Sequence, residues 1–200
     1  MQRRIILAST SQKRKEIFET TGLEFEIVHS NYEEDMTLPM SPEKLAKFLS
    51  KGKAESVVKN YSDTIILAFD TFVILGNEIL GKPHTEEKAK EMLKKLSDNT
   101  HFALTGFTVI DTKNKKEISK TVKTKLIFKK LNDEMIDDYI KSDEKILKYA
   151  GSYTLNDIVE KSFVEKIEGD PLNVMGLPLS EVILVLKEFG VDISEKTLEK

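Results

Sequence analysis

The sequence contains no cysteine, and this absence excludes disulfides, thiolate metal sites and a cysteine nucleophile together. Long hydrophobic runs are missing as well. The longest apolar stretches, residues 64–69 and 182–186, are far shorter than the ~20 residues of a membrane-spanning helix. The run at residues 5–8, behind a basic start, is too short for the apolar part of a signal peptide. We therefore expect a cytoplasmic protein that does not enter a membrane.

Charge of one sign is not in excess: 31 Lys and Arg stand against 34 Asp and Glu, giving a net charge of −3. A chain with this balance has no general attraction for nucleic acid, so any anionic ligand must be held by a local basic cluster. The three histidines, His29, His84 and His101, have no metal-ligand spacing. A glycine-rich phosphate loop of the Walker type is also absent. The composition, 40% hydrophobic and 32% charged, is otherwise that of an ordinary globular protein.

Signals for strands and helices alternate along the chain. The apolar runs at residues 5–8 and 64–69 predict buried strands, and Asp70 is expected at the carboxyl end of the second. Ser41-Pro42 predicts the start of a helix, with serine as the cap and proline in the first turn. The inner face of this helix is assigned to Leu45, Phe48, Leu49 and Ala54.

The remaining pattern completes the predicted fold. Helices are expected at residues 12–21 and 86–96, after Asn132, and at 179–189. Short strands are expected near residues 25–27, 78–80 and 163–167, and a long hairpin at 101–111 and 117–129. The sequence therefore predicts an α/β chain with a sizeable antiparallel part. Residues 1–200 are assigned to a single domain, since we find no repeat, linker or low-complexity segment.

One candidate phosphate site lies where the first strand leads into the first helix. Ser9 and Ser11 carry hydroxyls there, and Lys13 and Arg14 add two positive charges. Free backbone N–H groups at a helix N-terminus favour an anion such as a phosphate chain. The same spacing also describes a capping serine followed by a solvated basic turn. On spacing alone, this simpler interpretation is favoured.

A second candidate is Asp70, because ligands bind at the carboxyl ends of strands in open α/β sheets. Its carboxylate could bind a divalent cation or accept a proton from water, or it could simply begin a turn. Haloacid-dehalogenase-type phosphatases also place an aspartate after an apolar strand. They need a second aspartate two residues later, where this chain has Phe72, so that class is excluded.

Three further charged residues are candidates. Glu34 lies in the acidic loop of residues 33–35, which could supply oxygen ligands to a cation or could only be solvated. Lys82 lies in a constrained turn between Gly81 and Pro83, an unusual place for a purely solubilising lysine. Lys53 lies on a predicted helix, where a surface role is the commoner explanation.

Taken together, these segments resemble the Maf family of nucleotide pyrophosphatases. The matching pieces occur in the family's order and span about residues 4–189: they are residues 7–14, 69–71, 79–83, 150–153 and 174–179. The resemblance implies an elongated, inosine triphosphatase-like α/β fold, in which a mixed sheet with flanking helices forms two lobes around a cleft. It also implies hydrolysis of a nucleoside triphosphate between its α- and β-phosphates, assisted by Mg²⁺ or Mn²⁺.

The family pattern assigns roles to individual residues. The aspartate that matches Asp70 accepts a proton or orients water, and it shares the metal shell with the acid that matches Glu34. The triphosphate is held by the residues that match Ser9, Ser11, Arg14, Lys53 and Lys82. The resemblance also implies a homodimer.

Three positions bear on base preference. Thr71 fits the branch of the family that prefers dTTP and UTP, whereas the branch preferring 7-methyl-GTP differs there and has tryptophan at the position of Lys13. The family usually has arginine at Lys13 and, in the pyrimidine branch, glutamine at Asn156. Lysine lacks the planar fork of arginine, and asparagine carries its amide on a shorter arm. Thr71 and Asn156 are therefore the expected readers of a pyrimidine base.

Two alternatives remain open on the sequence. One is a nucleotide-binding regulatory protein of cell division with little turnover. The other is the 7-methyl-GTP-preferring branch of the same enzyme family. Steady release of pyrophosphate from a panel of nucleotides separates these alternatives from a dTTP and UTP pyrophosphatase.

Overall fold

The computed structural model describes residues 3–193, and its strands form one mixed sheet with helices packed against it. The strands are β1 (Arg4–Leu7), β2 (Glu26–Ile27), β3 (Thr64–Leu75), β4 (Glu78–Leu80), β5 (Thr100–Asp111), β6 (Lys116–Phe128) and β7 (Val164–Glu168). Their order is β2-β1-β3-β5-β6-β7, and β4 pairs with β3. β1 is parallel to β2 and β3, whereas the β3–β4 and β6–β7 pairs are antiparallel. This mixed sheet confirms the predicted α/β class.

Most of the helices in the described range are capped by local side chains. They are α1 (Gln12–Glu19), α2 (Pro42–Val58), α3 (Glu86–Leu96), α4 (Asp133–Ser142), α5 (Leu155–Glu160), α6 (Pro171–Val174) and α7 (Leu179–Glu188), with 3₁₀ turns at Glu144–Lys148 and Ala150–Ser152. Ser41, Thr85 and Asn132 accept a hydrogen bond from a backbone N–H of the turn that they cap. The predicted starts of α2, α3 and α4 are confirmed, because the capping chemistry is local to the sequence. No helix in the described range is both long and apolar enough to cross a membrane.

Contacts divide the chain into two compact units. Among the described residues, the first unit contains the chain up to Asp70, Thr105–Val122 and everything from Gly176 onward. The second contains Thr71–Leu104 and Lys123–Met175. The strands β3, β5 and β6 each contribute to both units, so the division falls within strands and not at a linker.

Each unit has its own apolar core. In the first, side chains of β1 and β3 pack against α2 through a buried cluster: Ile6, Ala8, Ala54, Val57, Ile66, Ala68 and Ile110. Gly106 on β5 lets α2 approach closely, because a Cβ there would overlap the backbone carbonyl of Ala46. In the second unit, α3 and α4 bury Leu93, Ile136 and Ile140 in a separate core.

Two predictions about these elements were wrong. β3 does not end at Asp70 but continues to Leu75, and its last residues, Val73 to Leu75, pair with β4. Phe48 is 43% exposed and does not belong to the inner face of α2. At 100° per residue it projects away from the buried stripe that includes Ala46 and Ser50.

α5 and α6 were not predicted from the sequence, although both carry recognisable start signals. The hydroxyl of Thr154 accepts from the N–H of Asp157 at 3.3 Å and so caps α5. Asp170-Pro171 begins α6 in the same way that Ser41-Pro42 begins α2. Both helices have six residues or fewer, which is too short for a hydrophobic period to become visible.

Candidate active site

The junction between β1 and α1 has the predicted strand-to-helix geometry. Ser11 caps α1 by accepting a hydrogen bond from the N–H of Arg14 at 3.4 Å. The buried hydroxyl of Ser9 accepts from the N–H of Ser11 at 3.3 Å. The simpler interpretation of Ser11 as a helix cap is therefore correct, and that role leaves one lone pair and the O–H donor of its hydroxyl available.

The guanidinium of Arg14 donates hydrogen bonds to three protein oxygens. Its guanidinium donates to the carbonyl of Gly176 at 2.8 Å, to the hydroxyl of Ser9 at 3.2 Å and to the carbonyl of Phe69 at 3.2 Å. It also lies over the Phe69 ring, 5.5 Å from the centroid. Burial lowers the pKa of Arg14, and the negative charges of Asp70 and Glu34 oppose that shift. Arg14 is thus a fixed positive charge in the first unit and not part of a solvated basic turn.

Lys53 projects from α2 onto two carboxylates. Its ammonium makes a short hydrogen bond to Asp70, contacts Oε1 of Glu34 at 2.8 Å and donates to the carbonyl of Phe69 at 3.3 Å. Only 12% of the Lys53 side chain is exposed, so the surface role suggested by its helical position is wrong. The structure therefore brings Glu34, Lys53 and Asp70 together, as their joint assignment requires.

Asp70 is a buried carboxylate in the middle of β3. Burial raises the pKa of Asp70, and the nearby charge of Glu34 raises it further. The ammonium of Lys53 and the guanidinium of Arg14 lower it, but burial has the largest effect. A carboxylate whose pKa is raised in this way is a better proton acceptor than an ordinary surface aspartate.

The same carboxylates are suitable donors for a hard cation. Glu34 and Asp70 both contact the Lys53 ammonium, so they present oxygen atoms to one positively charged point. Across residues 3–193, no group of three or more His, Cys, Asp or Glu side chains is arranged to hold a metal. Mg²⁺ is commonly bound by only one or two carboxylates together with substrate phosphates. The residues present therefore fit an ion that is shared with a bound triphosphate.

The other sequence candidates are Lys13, Lys82, Thr71 and Asn156. Lys13 is on α1 and pairs with Glu16 at 3.4 Å. Lys82, Thr71 and Asn156 belong to the second unit. Lys82 is exposed just after β4, Thr71 is half-buried in β3, and Asn156 is exposed in the first turn of α5.

Two functional groups at the site were not predicted, and both are backbone carbonyls. Phe69 supplies the oxygen that accepts from both Arg14 and Lys53, and Gly176 supplies the oxygen at Arg14 Nε. Phe69 and Gly176 each lie within a segment that matches the family pattern, residues 69–71 and 174–179, and this match was the available signal. A carbonyl carries no side-chain signature, so neither group could be found from residue types.

The family model described as Maf-like protein matches residues 4–189, which include every candidate residue named above. The chain belongs to the Maf-like family. The family resemblance predicted from the sequence is thereby confirmed.

Relatives of this Maf-like chain agree closely in length. A protein from Bacillus cereus (strain ZK / E33L), named dTTP/UTP pyrophosphatase, is 42% identical over 96% of this chain and 98% of its own. Proteins of the same name from Bacillus thuringiensis subsp. konkukian and Bacillus anthracis are each 41% identical with the same coverage. Among solved structures, a HAM1 protein from Coxiella burnetii aligns with a TM-score of 0.51 at 18% identity, over 92% of this chain and 98% of its own. That likeness shows a shared fold.

Proposed function

We propose that this Maf-like chain is a nucleoside triphosphate pyrophosphatase that hydrolyses dTTP and UTP to the monophosphate and pyrophosphate. The proposal depends on one observation: the carboxylates of buried Asp70 and of Glu34 both contact the ammonium of Lys53. The 41–42% identical relatives named dTTP/UTP pyrophosphatases support it. A cytoplasmic location, expected from the short apolar runs, and a homodimer, implied by the family resemblance, belong to the same proposal.

The attack on the α-phosphorus is assigned to water oriented by Asp70. The carboxylate accepts a proton as water attacks, and its raised pKa suits that task. Mg²⁺ or Mn²⁺ bound by Glu34 and Asp70 would supply positive charge against the phosphate oxygens. Because water is the nucleophile, no covalent enzyme intermediate forms.

The triphosphate is assigned to the basic residues and hydroxyls around that carboxylate. Lys53 and Arg14 offer positive charges within the first unit, and Ser9 and Ser11 offer hydroxyls beside Arg14. Lys82 is also assigned to the triphosphate, as a further positive charge. These groups neutralise the charge that develops on departing pyrophosphate, which lowers the barrier to bond cleavage.

The assay that tests this function measures pyrophosphate and monophosphate with Mg²⁺ or Mn²⁺ over a panel of nucleotides. Steady turnover of dTTP and UTP above the purine triphosphates is expected. Binding without turnover would instead indicate a regulatory nucleotide-binding protein. Preference for 7-methyl-GTP would place the chain in the other branch of the family.

Lys82→Ala tests the assignment of that exposed lysine to the triphosphate. Loss of one charge-assisted contact to phosphate is expected to lower kcat/KM for dTTP about tenfold or more. Inhibition by added pyrophosphate should weaken by a similar factor, because the same charge would hold the product. The matched control is Lys88→Ala, which removes another exposed lysine six positions later. If Lys82→Ala and Lys88→Ala behave alike in both assays, Lys82 is a surface charge only.

Asn156→Ala tests base recognition. A pyrimidine edge offers a carbonyl and an N–H that an amide can match, and one unpaired group in a closed pocket costs about 1–3 kcal/mol. The variant should therefore lose discrimination between dTTP or UTP and the purine triphosphates more than it loses turnover of the best substrate. Asn156→Gln should sharpen discrimination, because it restores the longer arm. The measurement is the ratio of kcat/KM values across nucleotides, and unchanged ratios in Asn156→Ala would remove Asn156 from the site.

A further inference from the structure

The interior of α2 contains a glycine that the helix itself does not require. Gly52 is the eleventh of the 17 residues of Pro42–Val58, and its backbone is ordinary right-handed helix. Glycine is less favourable than alanine at such a position, because it loses more conformational freedom on folding. A neighbouring group that needs the missing Cβ volume would account for its presence.

That neighbour is the ring of Tyr32. A Cβ built on Gly52 would overlap Cε2 and Cζ of this ring and would lie 2.9 Å from Cδ2. The ring therefore lies directly on the backbone of α2, one residue before Lys53. Only glycine at position 52 permits this approach.

Two more contacts attach the same irregular segment to α2. The first joins the hydroxyls of Ser30 and Ser56 at 3.0 Å. Within the segment itself, the N–H of Tyr32 donates to Ser30 Oγ at 3.2 Å. Two residues after Tyr32, Glu34 reaches the ammonium of Lys53 at 2.8 Å. Residues 30–34 thus follow one face of α2, with Tyr32 between the serine contact and the carboxylate.

We propose that Tyr32 and Gly52 form a positioning contact that holds Glu34 beside Lys53 and Asp70, where it binds the divalent cation. Glu34 belongs to an irregular segment and its side chain is 40% exposed, so the path of this segment along α2 determines where the carboxylate lies. This inference rests on the proposed function and goes beyond it. It assigns metal affinity to a packed aromatic ring and a helix glycine, neither of which touches the substrate.

The ring acts by volume and not by charge. The atoms of Tyr32 that meet the backbone of Gly52 are the ring carbons Cε2, Cζ and Cδ2, and phenylalanine has all three. Tyr32→Phe should therefore retain the positioning, whereas Tyr32→Ala should lose it. The pair of variants separates the ring from its hydroxyl.

Gly52→Ala is the decisive variant. The added methyl displaces the end of the Tyr32 side chain, while the helix backbone gains the better helix former, so the protein should fold with a melting temperature close to that of the parent. We expect the half-saturating Mn²⁺ concentration for dTTP hydrolysis to rise about tenfold, with kcat at saturating Mn²⁺ changed less than about threefold. A second measurement is independent of hydrolysis. Calorimetric binding of the Mn²⁺ complex of α,β-methylene-dTTP should weaken by a similar factor.

Three further variants decide between outcomes. Lys44→Ala, on the exposed side of the same helix, controls for any change in α2 and should match the parent. The double variant Tyr32→Ala/Gly52→Ala should be no worse than Tyr32→Ala alone, because the methyl no longer meets a ring. Glu34→Gln sets the reference for losing the carboxylate.

If Glu34→Gln weakens Mn²⁺ use and Gly52→Ala does not, the positioning contact is refuted and the proposed function stands. If neither variant changes analogue binding, Glu34 is not a metal ligand, and its place in the proposed function is lost together with the contact. A parent protein that binds the Mn²⁺ analogue but releases no pyrophosphate would refute the enzyme assignment. The Gly52→Ala comparison by calorimetry would then still test the contact.

Discussion

Asp70→Asn is expected to reduce turnover of dTTP by about a hundredfold or more while nucleotide binding is largely retained. The carboxylate is buried in β3, and its raised pKa fits it to take a proton from attacking water. Asparagine keeps the shape and one acceptor oxygen but cannot accept that proton. The effect should therefore fall on kcat, and KM should change little.

The control for this prediction is the stability of the variant. Asparagine can still accept from Lys53, whose ammonium also contacts Glu34 and the Phe69 carbonyl. The melting temperature without metal should accordingly stay close to that of the parent. Near-normal turnover in a folded Asp70→Asn protein would remove Asp70 from the catalytic role, whatever the nucleotide preference.

Lys53→Met is expected to destabilise the protein by about 3 kcal/mol in the absence of metal. The substitution keeps much of the side-chain volume but removes the cation from Asp70, whose side chain is only 7% exposed. A buried carboxylate without a charge partner costs several kcal/mol, although Arg14 nearby and uptake of a proton limit the loss. For a chain of this length such a loss lowers the melting temperature by about 8 °C.

A double variant gives this prediction its test. Lys53→Met/Asp70→Asn removes the buried charge as well as its partner, so it should melt above Lys53→Met alone. Lys44→Met, an exposed position on the same helix, is the matched control and should leave the melting temperature unchanged. If Lys53→Met and Lys44→Met melt alike in EDTA, the ammonium of Lys53 does not stabilise the Asp70 carboxylate.

The parts of the fold that follow from short stretches of sequence could be predicted. Ser41-Pro42 and Thr85 marked helix starts because a capping hydroxyl acts within three residues of its own position. The apolar runs of β1 and β3 were recognisable because buried parallel strands need hydrophobic residues on both faces. Such signals are complete within a few residues.

The arrangement of the site could not be predicted in the same way. Lys53 looked like a surface lysine because its helical position does not reveal that Asp70, 17 residues later, lies beside it. Arg14 donates at 2.8 Å to the carbonyl of Gly176, 162 residues away. Asp70 was placed at a strand end because the apolar run is interrupted there, whereas β3 continues to Leu75 and pairs with β4. The contacts of Lys53 and Arg14 join residues that are distant in the sequence, and no local pattern encodes them.

The carbonyl of Phe69 has a consequence for how this site can change in evolution. The last residue of β1 that pairs with β3, Leu7, lies opposite Leu67, two residues before Phe69. The carbonyl oxygen of Phe69 accepts hydrogen bonds from both Arg14 and Lys53. Every amino acid carries that oxygen, so no point mutation at position 69 can delete it. Selection on the Phe69 side chain reflects its packing on Phe107 and beneath the guanidinium of Arg14, whereas the carbonyl oxygen that accepts from the two cations is present with any side chain. Deep mutational scanning should therefore show position 69 tolerating other large apolar residues, although its main chain lies at the centre of the charged cluster.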